Sequence, residues 1–315
     1  MHRVTRLAPS PTGALHLGNA RTFLVNWLLA RQQGWRIILR IEDLDGPRIK
    51  HGADQQAIDD LRWLGIDWDE GPVYQSARQA EYDIALQRLI GAGRTFLCIC
   101  SRKDVESAAS APHASDGSAI YPGTCRNGIH DLRPETPVAV RFRVPDEVIT
   151  FDDVFAGRQS FAVARQLGDF VIAKSDGTAA YQLAVVVDDA AMGITDIVRG
   201  DDLLDSTPRQ LLLYRALELS DCIPNYFHLP LVLGPDGRRL AKRHGDTRLA
   251  TCRDAGISAG RVLKRLASWC GIEGVGDDVR AADLVDRFEI ARLPRAPIAF
   301  DPGTDAALRL EAGRS

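Results

Sequence analysis

A histidine lies at the point where a predicted strand passes into a predicted helix. Residues 4–8, VTRLA, have the character of a short strand, and residues 17–31 carry apolar side chains on one helical face. A helix N-terminus directs free N–H groups and a positive dipole end outward. Gly13 and Gly18 permit a tight turn, and His16 can donate a hydrogen bond to a phosphate oxygen. The pattern indicates a triphosphate site, although a plain turn with a capping histidine fits the same residues.

A second basic segment, GPDGRRLAKRHG at residues 234–245, lies much later in the chain. Its arginines and its lysine, Lys242, stand between glycines, and such a loop can close over a polyphosphate. Taken alone, the segment is also typical of an ordinary solvated basic loop.

Three cysteines form a local group that suggests a metal site. Cys98 and Cys100 end a predicted strand, and Cys125 follows a polar loop and a Pro-Gly turn. Zinc prefers four ligands, mostly Cys or His, so one place is open, and His113 and His130 are chemically suitable. Three reduced cysteines without a metal are the alternative. The remaining cysteines are interpreted as small apolar side chains: Cys222, Cys252 and Cys270.

Composition and charge favour a soluble globular protein. The 315 residues include 26% charged residues and carry a net charge of −3. No segment approaches the length of a membrane span, and the N-terminus lacks the apolar core of a secretory signal, so we expect a cytoplasmic protein without a membrane partner. The slightly acidic balance argues against a strongly basic nucleic-acid coat but leaves room for a local basic face.

Strands and helices alternate up to about residue 100, which predicts an α/β fold with a parallel sheet that includes the strand TFLCIC at residues 95–100. Residues 181–193, YQLAVVVDDAAMG, fit either a helix or a buried strand. Residues 205–219 predict a helix with Ser206 or Thr207 as its N-cap. The following histidines are interpreted as surface or packing residues: His2, His51 and His228.

The two basic segments together resemble a known pair of motifs. PSPTGALHLGNAR, which contains His16, and RLAKR, which contains Lys242, resemble the HIGH-type and KMSKS-type motifs of class I aminoacyl-tRNA synthetases. RLAPSPTG, LRIEDLD, GPVYQSAR, VVVDDAAMGITDIVRGDDLLDSTPRQ and YFHLPLV resemble the glutamyl-tRNA synthetase branch. Only about seventy residues follow Lys242. This short form resembles the glutamyl-queuosine tRNA(Asp) synthetase family, which attaches glutamate to the wobble base queuosine.

The resemblance implies a set of site residues. Three positions depart from the common motifs: Asn19 replaces the final histidine of the first, and in the second Arg239 replaces a common lysine and Ala241 a common serine. The implied ATP-binding residues are Pro9, His16, Gly18, Asn19, Arg239, Leu240 and Lys242, of which His16 and Lys242 would be catalytic. The implied glutamate-binding residues are Arg6, Ser10, Glu42, Tyr181 and Arg199. The implied zinc ligands are Cys98, Cys100, Tyr121 and Cys125, although a histidine remains the chemically easier fourth ligand.

The resemblance also implies an architecture. We expect a Rossmann-like α/β catalytic domain of the class I synthetases, with its ligands beyond the carboxyl ends of the parallel strands. Residues 1–96 and 151–244 would form this domain, residues 97–150 an inserted zinc-binding subdomain, and residues 245–315 a small helical part. No anticodon-binding domain is expected, and we expect a monomer.

The implied reaction has two steps. ATP and L-glutamate, with Mg²⁺, would form glutamyl-adenylate, and the glutamate would pass to queuosine in tRNA(Asp). The structural cofactor would be one Zn²⁺ per chain. Three alternatives stay open: a truncated glutamyl-tRNA synthetase that charges the 3′ end of tRNA(Glu), a non-catalytic protein that binds glutamate or tRNA, and a nucleotidyltransferase that shares only the first motif.

Overall fold

The computed structural model describes residues 2–108, 119–129, 133, 135–240, 247–301 and 303. The strands in these ranges are β1 Val4–Leu7, β2 Arg36–Ile41, β3 Glu70–Tyr74, β4 Thr95–Cys98, β5 Ala139–Phe142, β6 Val148–Asp153, β7 Gly157–Ala162, β8 Phe170–Ala173, β9 Asp196–Gly200, β10 Asn225–Leu229, β11 Val232–Leu233 and β12 Ile298–Ala299. The α-helices are α1 Leu17–Gln33, α2 Ala53–Trp63, α3 Gln79–Gly91, α4 Arg102–Ala108, α5 Val163–Gln166, α6 Tyr181–Ala191, α7 Ser206–Ala216, α8 Leu249–Asp254 and α9 Ala259–Ser268.

Short 3-10 helices connect several of these elements. They span Gly46–Arg48, Gln75–Arg78, Asp201–Leu203, Ser220–Cys222, Ala281–Arg287 and Ile290–Arg292. None of the described helices combines the length and the apolar character that crossing a membrane requires.

The chain divides into two compact units. The first comprises Met1–Tyr74, Asp196–Asp201 and Phe227–Ser315, and the second comprises Gln75–Thr195 and Asp202–Tyr226. The domain bounds expected from the sequence stay a prediction.

A parallel sheet organises the first unit. Its strand order is β1-β2-β3, and Arg6 and Leu7 of β1 pair with Ile38 and Leu39 of β2. The predicted parallel sheet is therefore confirmed for the N-terminal strands. β3 is not apparent from the sequence because it begins Glu-Gly-Pro, which resembles a turn. Gly71 has φ +98°, and a Cβ there would lie 2.3 Å from the carbonyl oxygen of Leu39, so the close pairing of β2 and β3 requires glycine.

Helix α1 packs on this sheet and is buried around most of its circumference, since every residue from Leu24 to Ala30 is buried. Leu24 and Leu28 are fully buried, and Gly34 ends the helix in the left-handed conformation, as its position predicts. Arg21 is also buried, and its guanidinium donates to the carbonyl oxygens of Pro230 at 2.6 Å and Trp269 at 3.1 Å. These hydrogen bonds attach α1 to the segments that follow β10 and α9.

The second unit contains antiparallel sheets. β4 pairs with β5, which pairs with β8, and β6 pairs with β7. The prediction that residues 95–100 extend the parallel sheet is therefore wrong. The reason is that β5, which follows much later in the chain, pairs with β4 and is itself paired with β8, whereas the alternation of elements reports only local order.

A buried carboxylate holds helix α6 in the second unit. Asp188 is fully buried and accepts hydrogen bonds from Gln75 at 2.8 Å, Arg78 at 2.7 Å and Tyr82 at 2.8 Å. These donors come from the 3-10 turn before α3 and from α3 itself. Residues 181–191, ambiguous in sequence, are a helix that packs against α3 and α7.

Helix α7 begins one residue earlier than a Ser206 cap predicts and two earlier than a Thr207 cap predicts. The N-cap is Asp205, while Ser206 and Thr207 lie inside the helix, so neither is the cap. The hydroxyl of Ser206 instead accepts a hydrogen bond from Gln182 of α6 at 3.0 Å. A tertiary partner thus replaces the local capping contact that Ser commonly makes.

A second buried carboxylate, Asp60 of α2, makes the first unit sensitive to pH. Burial raises the pKa of Asp60 to about 6, although Arg253 of α8, 3.3 Å away, acts in the opposite direction. Because the folded-state pKa is raised, the stability that Asp60 contributes is present at acid pH and is lost as pH rises from about 4 through about 6.

We predict that Asp60→Asn removes this pH dependence. Relative to the wild type, the variant should gain on the order of 3 kcal/mol in the free energy of unfolding between pH 4 and pH 7, because the amide never ionises. Urea unfolding at several pH values measures the difference. Asp286→Asn, an exposed carboxylate elsewhere in the first unit, is the control and should follow the wild type. A wild-type-to-variant difference that stays constant with pH would contradict the prediction.

Candidate active site and metal centre

His16 caps the N-terminus of α1 in the first unit. Its backbone is extended, with φ −115° and ψ 165°, and its Nδ1 accepts the backbone N–H of Asn19 at 3.4 Å. A Cβ on Gly18 would lie 3.1 Å from Cε1 of the imidazole, so glycine makes room for the ring at the helix end. The sequence motif therefore folds as a turn that holds the imidazole over the first N–H groups of α1.

The His16 side chain is neutral at physiological pH. Burial, followed by the positive charge of Arg239, lowers its pKa to about 4. Since Nδ1 accepts a hydrogen bond in the neutral ring, Nε2 carries the proton and can donate it. His16 is thus a neutral hydrogen-bond donor at the positive end of a helix, which suits a phosphate oxygen.

The second basic segment is anchored on both sides in the same unit. Leu240 is buried, and its N–H donates to the carbonyl oxygen of Val232 at 2.9 Å. Arg239 is exposed, and its backbone forms an antiparallel β-bridge with that of Leu233. Ala241 and Lys242 lie outside the described residues. Beyond them, the carbonyl oxygen of Thr247 accepts the N–H of Leu17 at 3.0 Å.

A short backbone ladder therefore joins the two motifs. The N–H of Leu249 donates to the carbonyl oxygen of Leu15 at 2.9 Å, and the backbones of Arg248 and His16 form an antiparallel β-bridge. The chain that leaves the second motif thus returns to the turn that carries His16.

The loops after β1 and β2 bring three predicted residues together. The N–H of Glu42 donates to the carbonyl oxygen of Pro9 at 3.0 Å, and the hydroxyl of Ser10 donates to the carbonyl oxygen of Glu42 at 3.2 Å. The Glu42 carboxylate accepts a hydrogen bond from Arg40 at 3.1 Å. The fully buried Arg40 orients this carboxylate. Arg40 is not among the site residues that the sequence predicts. The sequence feature that marks it is a charged residue inside the otherwise apolar run WRIILRIED.

Two predicted arginines lie on neighbouring strands of the first unit. Arg6 in β1 and Arg199 in β9 are each 4% exposed, and the two strands contact each other. Nε of Arg199 donates to Nε2 of His228 at 3.0 Å. The sequence favours a surface or packing role for His228, and the structure buries it against Arg199. The remaining predicted glutamate contact, Tyr181, belongs to the second unit, where it is the first residue of α6.

The three clustered cysteines meet in the second unit. Their sulfur atoms lie within 4.8 Å of one another, and Sγ of Cys100 is 3.6 Å from Sγ of Cys125. Sulfurs on one tetrahedral zinc ion are about 3.8 Å apart, given Zn–S bonds of about 2.3 Å. The cluster thus has the dimensions of a tetrahedral site. His113 and His130 lie outside the described residues.

The hydroxyl of Tyr121 lies beside the same sulfurs. It is 3.5 Å from Sγ of Cys98 and 4.0 Å from Sγ of Cys100, and it accepts the backbone N–H of Cys125 at 2.7 Å. Nε of Arg141 donates to Sγ of Cys98 at 3.2 Å, and its guanidinium lies 3.8 Å above the Tyr121 ring. Cysteine sulfurs, a phenol oxygen and a nearby cation can together accommodate a metal with thiolate and phenolate ligands.

The protonation of these groups differs before metal binding. Burial, together with the neighbouring thiols, raises the pKa of Cys100 to about 11, and burial raises the pKa of Tyr121 above its usual value. Although burial opposes it, contacts with Tyr121 and Arg141 lower the pKa of Cys98. A metal that binds here must therefore displace protons, as thiol ligands require.

The chain is similar to known proteins along most of its length. The family described as tRNA synthetases class I (E and Q), catalytic domain, matches residues 3–272. The Glutamyl-Q tRNA(Asp) synthetase of Symbiobacterium thermophilum is 51% identical, over 96% of this chain and 97% of that protein. The Glutamate–tRNA ligase of Citrifermentans bemidjiense is 42% identical, over 94% of this chain and 63% of that protein.

A solved structure has the same fold. The crystal structure of a glutamate tRNA ligase from Elizabethkingia meningosepticum, in complex with its amino acid, matches with a TM-score of 0.79 at 27% identity, over 98% of this chain and 69% of that one. The relatives confirm the resemblance stated from the sequence, the α/β catalytic fold and the assignment as a ligase. The chain belongs to the class I tRNA synthetases of the glutamate and glutamine type.

Proposed function

We propose that this synthetase activates L-glutamate with ATP and transfers it to the queuosine base at the wobble position of tRNA(Asp). One observation supports the activation step. Backbone hydrogen bonds join the turn that carries His16 to the Thr247–Leu249 segment, and Pro9 to Glu42 just beyond the ends of β1 and β2. The 51% identical relative named Glutamyl-Q tRNA(Asp) synthetase supports the acceptor.

Charge explains the choice of amino acid. Glutamate carries two carboxylates and one ammonium, and the buried guanidinium groups of Arg6 and Arg199 can hold carboxylates in two-point contacts. The oriented carboxylate of Glu42 suits the ammonium, and Ser10 lies next to it. Glutamine has no second negative charge, so a cationic pocket discriminates against it.

In the activation step, an oxygen of the glutamate α-carboxylate attacks the α-phosphorus of ATP, and pyrophosphate leaves. Nε2–H of His16 and the N-terminus of α1 donate to oxygens on which charge develops, and Lys242 adds a positive charge. The neighbouring motif residues Pro9, Gly18, Asn19, Arg239 and Leu240 complete the ATP contacts. Mg²⁺ that accompanies ATP would supply further charge to the phosphates.

In the transfer step, a hydroxyl of the queuosine cyclopentenediol attacks the activated carbonyl carbon. The new ester bond forms as the bond to AMP breaks, so no enzyme side chain needs to act as a nucleophile. The protein supplies position and electrostatic complementarity to both reactants.

We further propose a structural Zn²⁺ held by Cys98, Cys100, Cys125 and Tyr121. The distances among their ligand atoms support four ligands around one ion, and Tyr121 is the described residue that offers the fourth. The ion would fix the chain around β4 and has no part in either chemical step.

One alternative acceptor has support from a specific observation. The 42% identical relative is named a Glutamate–tRNA ligase, which makes charging of a tRNA 3′ end the second candidate. Both candidates share the activation step, so the acceptor alone distinguishes them.

We predict that labelled glutamate, with ATP, is transferred only to tRNA that contains queuosine. Two tRNA pools are compared, one from cells that make queuosine and one from cells that cannot. Label on the first pool alone places the ester on the modified base. Equal labelling of both pools would instead establish 3′-end charging.

We predict that His16→Asn slows adenylate formation about 100- to 1000-fold, the usual effect of losing one hydrogen-bond donor to developing charge, because the shorter amide cannot place an N–H at the position of Nε2–H. Asparagine still caps a helix, so α1 should keep its stability. Glutamate-dependent exchange of pyrophosphate into ATP measures the rate, and calorimetry measures glutamate affinity, which should stay within about twofold. Lys242→Ala should behave similarly.

His51→Ala, an exposed histidine in the same unit, is the control and should keep the wild-type rate. Equal losses of rate and glutamate affinity in the His16 variant would contradict its assigned role.

We predict about one zinc ion per purified chain, as expected for a single four-ligand site. Cys100→Ser should lose the ion and lower the unfolding temperature, whereas Cys222→Ser, outside the cluster, should keep both. Elemental analysis and thermal unfolding measure these effects. Tyr121→Phe should bind zinc more weakly than the wild type. Recovery of a metal-free chain with unchanged stability would refute the zinc site.

A further inference from the structure

His228 and Arg199 form a buried pair that the reaction does not by itself require. The side chain of Arg199 comes from β9 and that of His228 from β10, and the residues are 4% and 1% exposed. Their contact, from Nε of the guanidinium to Nε2 of the imidazole, is 3.0 Å long. Two residues far apart in sequence thus meet in the interior of the first unit, and one of them is a proposed ligand of glutamate.

The chemistry of the pair fixes the state of the imidazole. Arginine has five N–H donors, no acceptor, and a charge that it keeps in proteins. Nε2 of His228 must therefore be the acceptor, which requires a neutral ring with its proton on Nδ1. A protonated imidazole would place two positive charges about 3 Å apart in a buried environment, which is strongly unfavourable.

We infer that His228 is a positioning residue for glutamate recognition and acts through Arg199; this role rests on the proposed function. The hydrogen bond to Nε restrains the rotation of the guanidinium plane. The orientation of that plane determines where the two Nη groups can meet a carboxylate in a two-point contact. A guanidinium that is held in advance loses less conformational entropy when the substrate binds.

A neutral partner suits this task better than an acid. Arg3, immediately before β1, donates to the carboxylate of Asp196, and an ion pair of this kind cancels most of the charge that arginine could offer a substrate. The imidazole of His228 restrains Arg199 without contributing a compensating negative charge. The contact with His228 therefore fixes the orientation of the guanidinium without adding a negative charge of its own.

The test compares His228→Leu with His228→Gln in glutamate-dependent pyrophosphate exchange. Leucine removes the acceptor, and we expect the KM for glutamate to rise about 10- to 100-fold, as for a lost hydrogen bond to a charged group. The KM for ATP should stay within about twofold. Glutamine places an amide oxygen near the position of Nε2, so it should restore the KM for glutamate to within about threefold of the wild type.

A third variant, His228→Asn, keeps the test informative if the leucine variant fails to fold. Asparagine is polar like glutamine but too short to reach Nε of Arg199, so its KM for glutamate should rise while that of the glutamine variant does not. Thermal unfolding of each variant separates a binding effect from a loss of structure, because a purely structural role would change stability without separating the two KM values.

The outcomes distinguish this inference from the proposed function. A folded leucine or asparagine variant with the wild-type KM for glutamate would overturn the role of His228, and so would a glutamine variant as impaired as the leucine variant. Glutamate-dependent exchange by the wild type would still support the proposed activity in either case. Absence of that exchange in the wild type would overturn the proposed function and this role together.

Discussion

The parallel pairing of β1 with β2 is the constraint on which the first unit depends. Parallel strands end at the same edge of a sheet, so the residues that follow Leu7 and Ile41 must emerge together. The backbone contact between Pro9 and Glu42 extends this pairing beyond the strands. Helix α1 then returns from the same edge, which places its positive N-terminus and His16 at the same corner.

Buried charges and polar groups around this corner have specific partners. Arg40 orients the Glu42 carboxylate, and His228 restrains Arg199. The backbone N–H of Asn19, in the first turn of α1, donates to Nδ1 of His16. Burying an ionised group is unfavourable unless such contacts compensate for lost hydration. The same contacts restrict side-chain rotation, so the groups that would bind glutamate and ATP are organised before either arrives.

The second unit is organised by contacts of a different kind. The β4-β5-β8 sheet joins strands from distant parts of the chain, and Asp188 connects α6 to α3 and to the turn before it through three hydrogen bonds. The thiols of Cys98, Cys100 and Cys125 come together only because β4 and the segment around Tyr121 pack against each other. A metal at this cluster would strengthen a contact between segments that the chain already brings together.

Local sequence determined several features. Helix α1 and its end at Gly34, the turn at His16, β1 with β2 and the three clustered cysteines all follow from short-range patterns, because periodicity, caps and glycine positions act within a few residues. The motif pair identified the family, and the relatives confirm it. Tertiary structure decided the rest: the helical state of residues 181–191, the antiparallel partner of β4, the strand β3 and the Arg199–His228 contact. Each of these depends on a partner distant in the sequence, and the energies of such contacts leave no periodic trace in the local pattern.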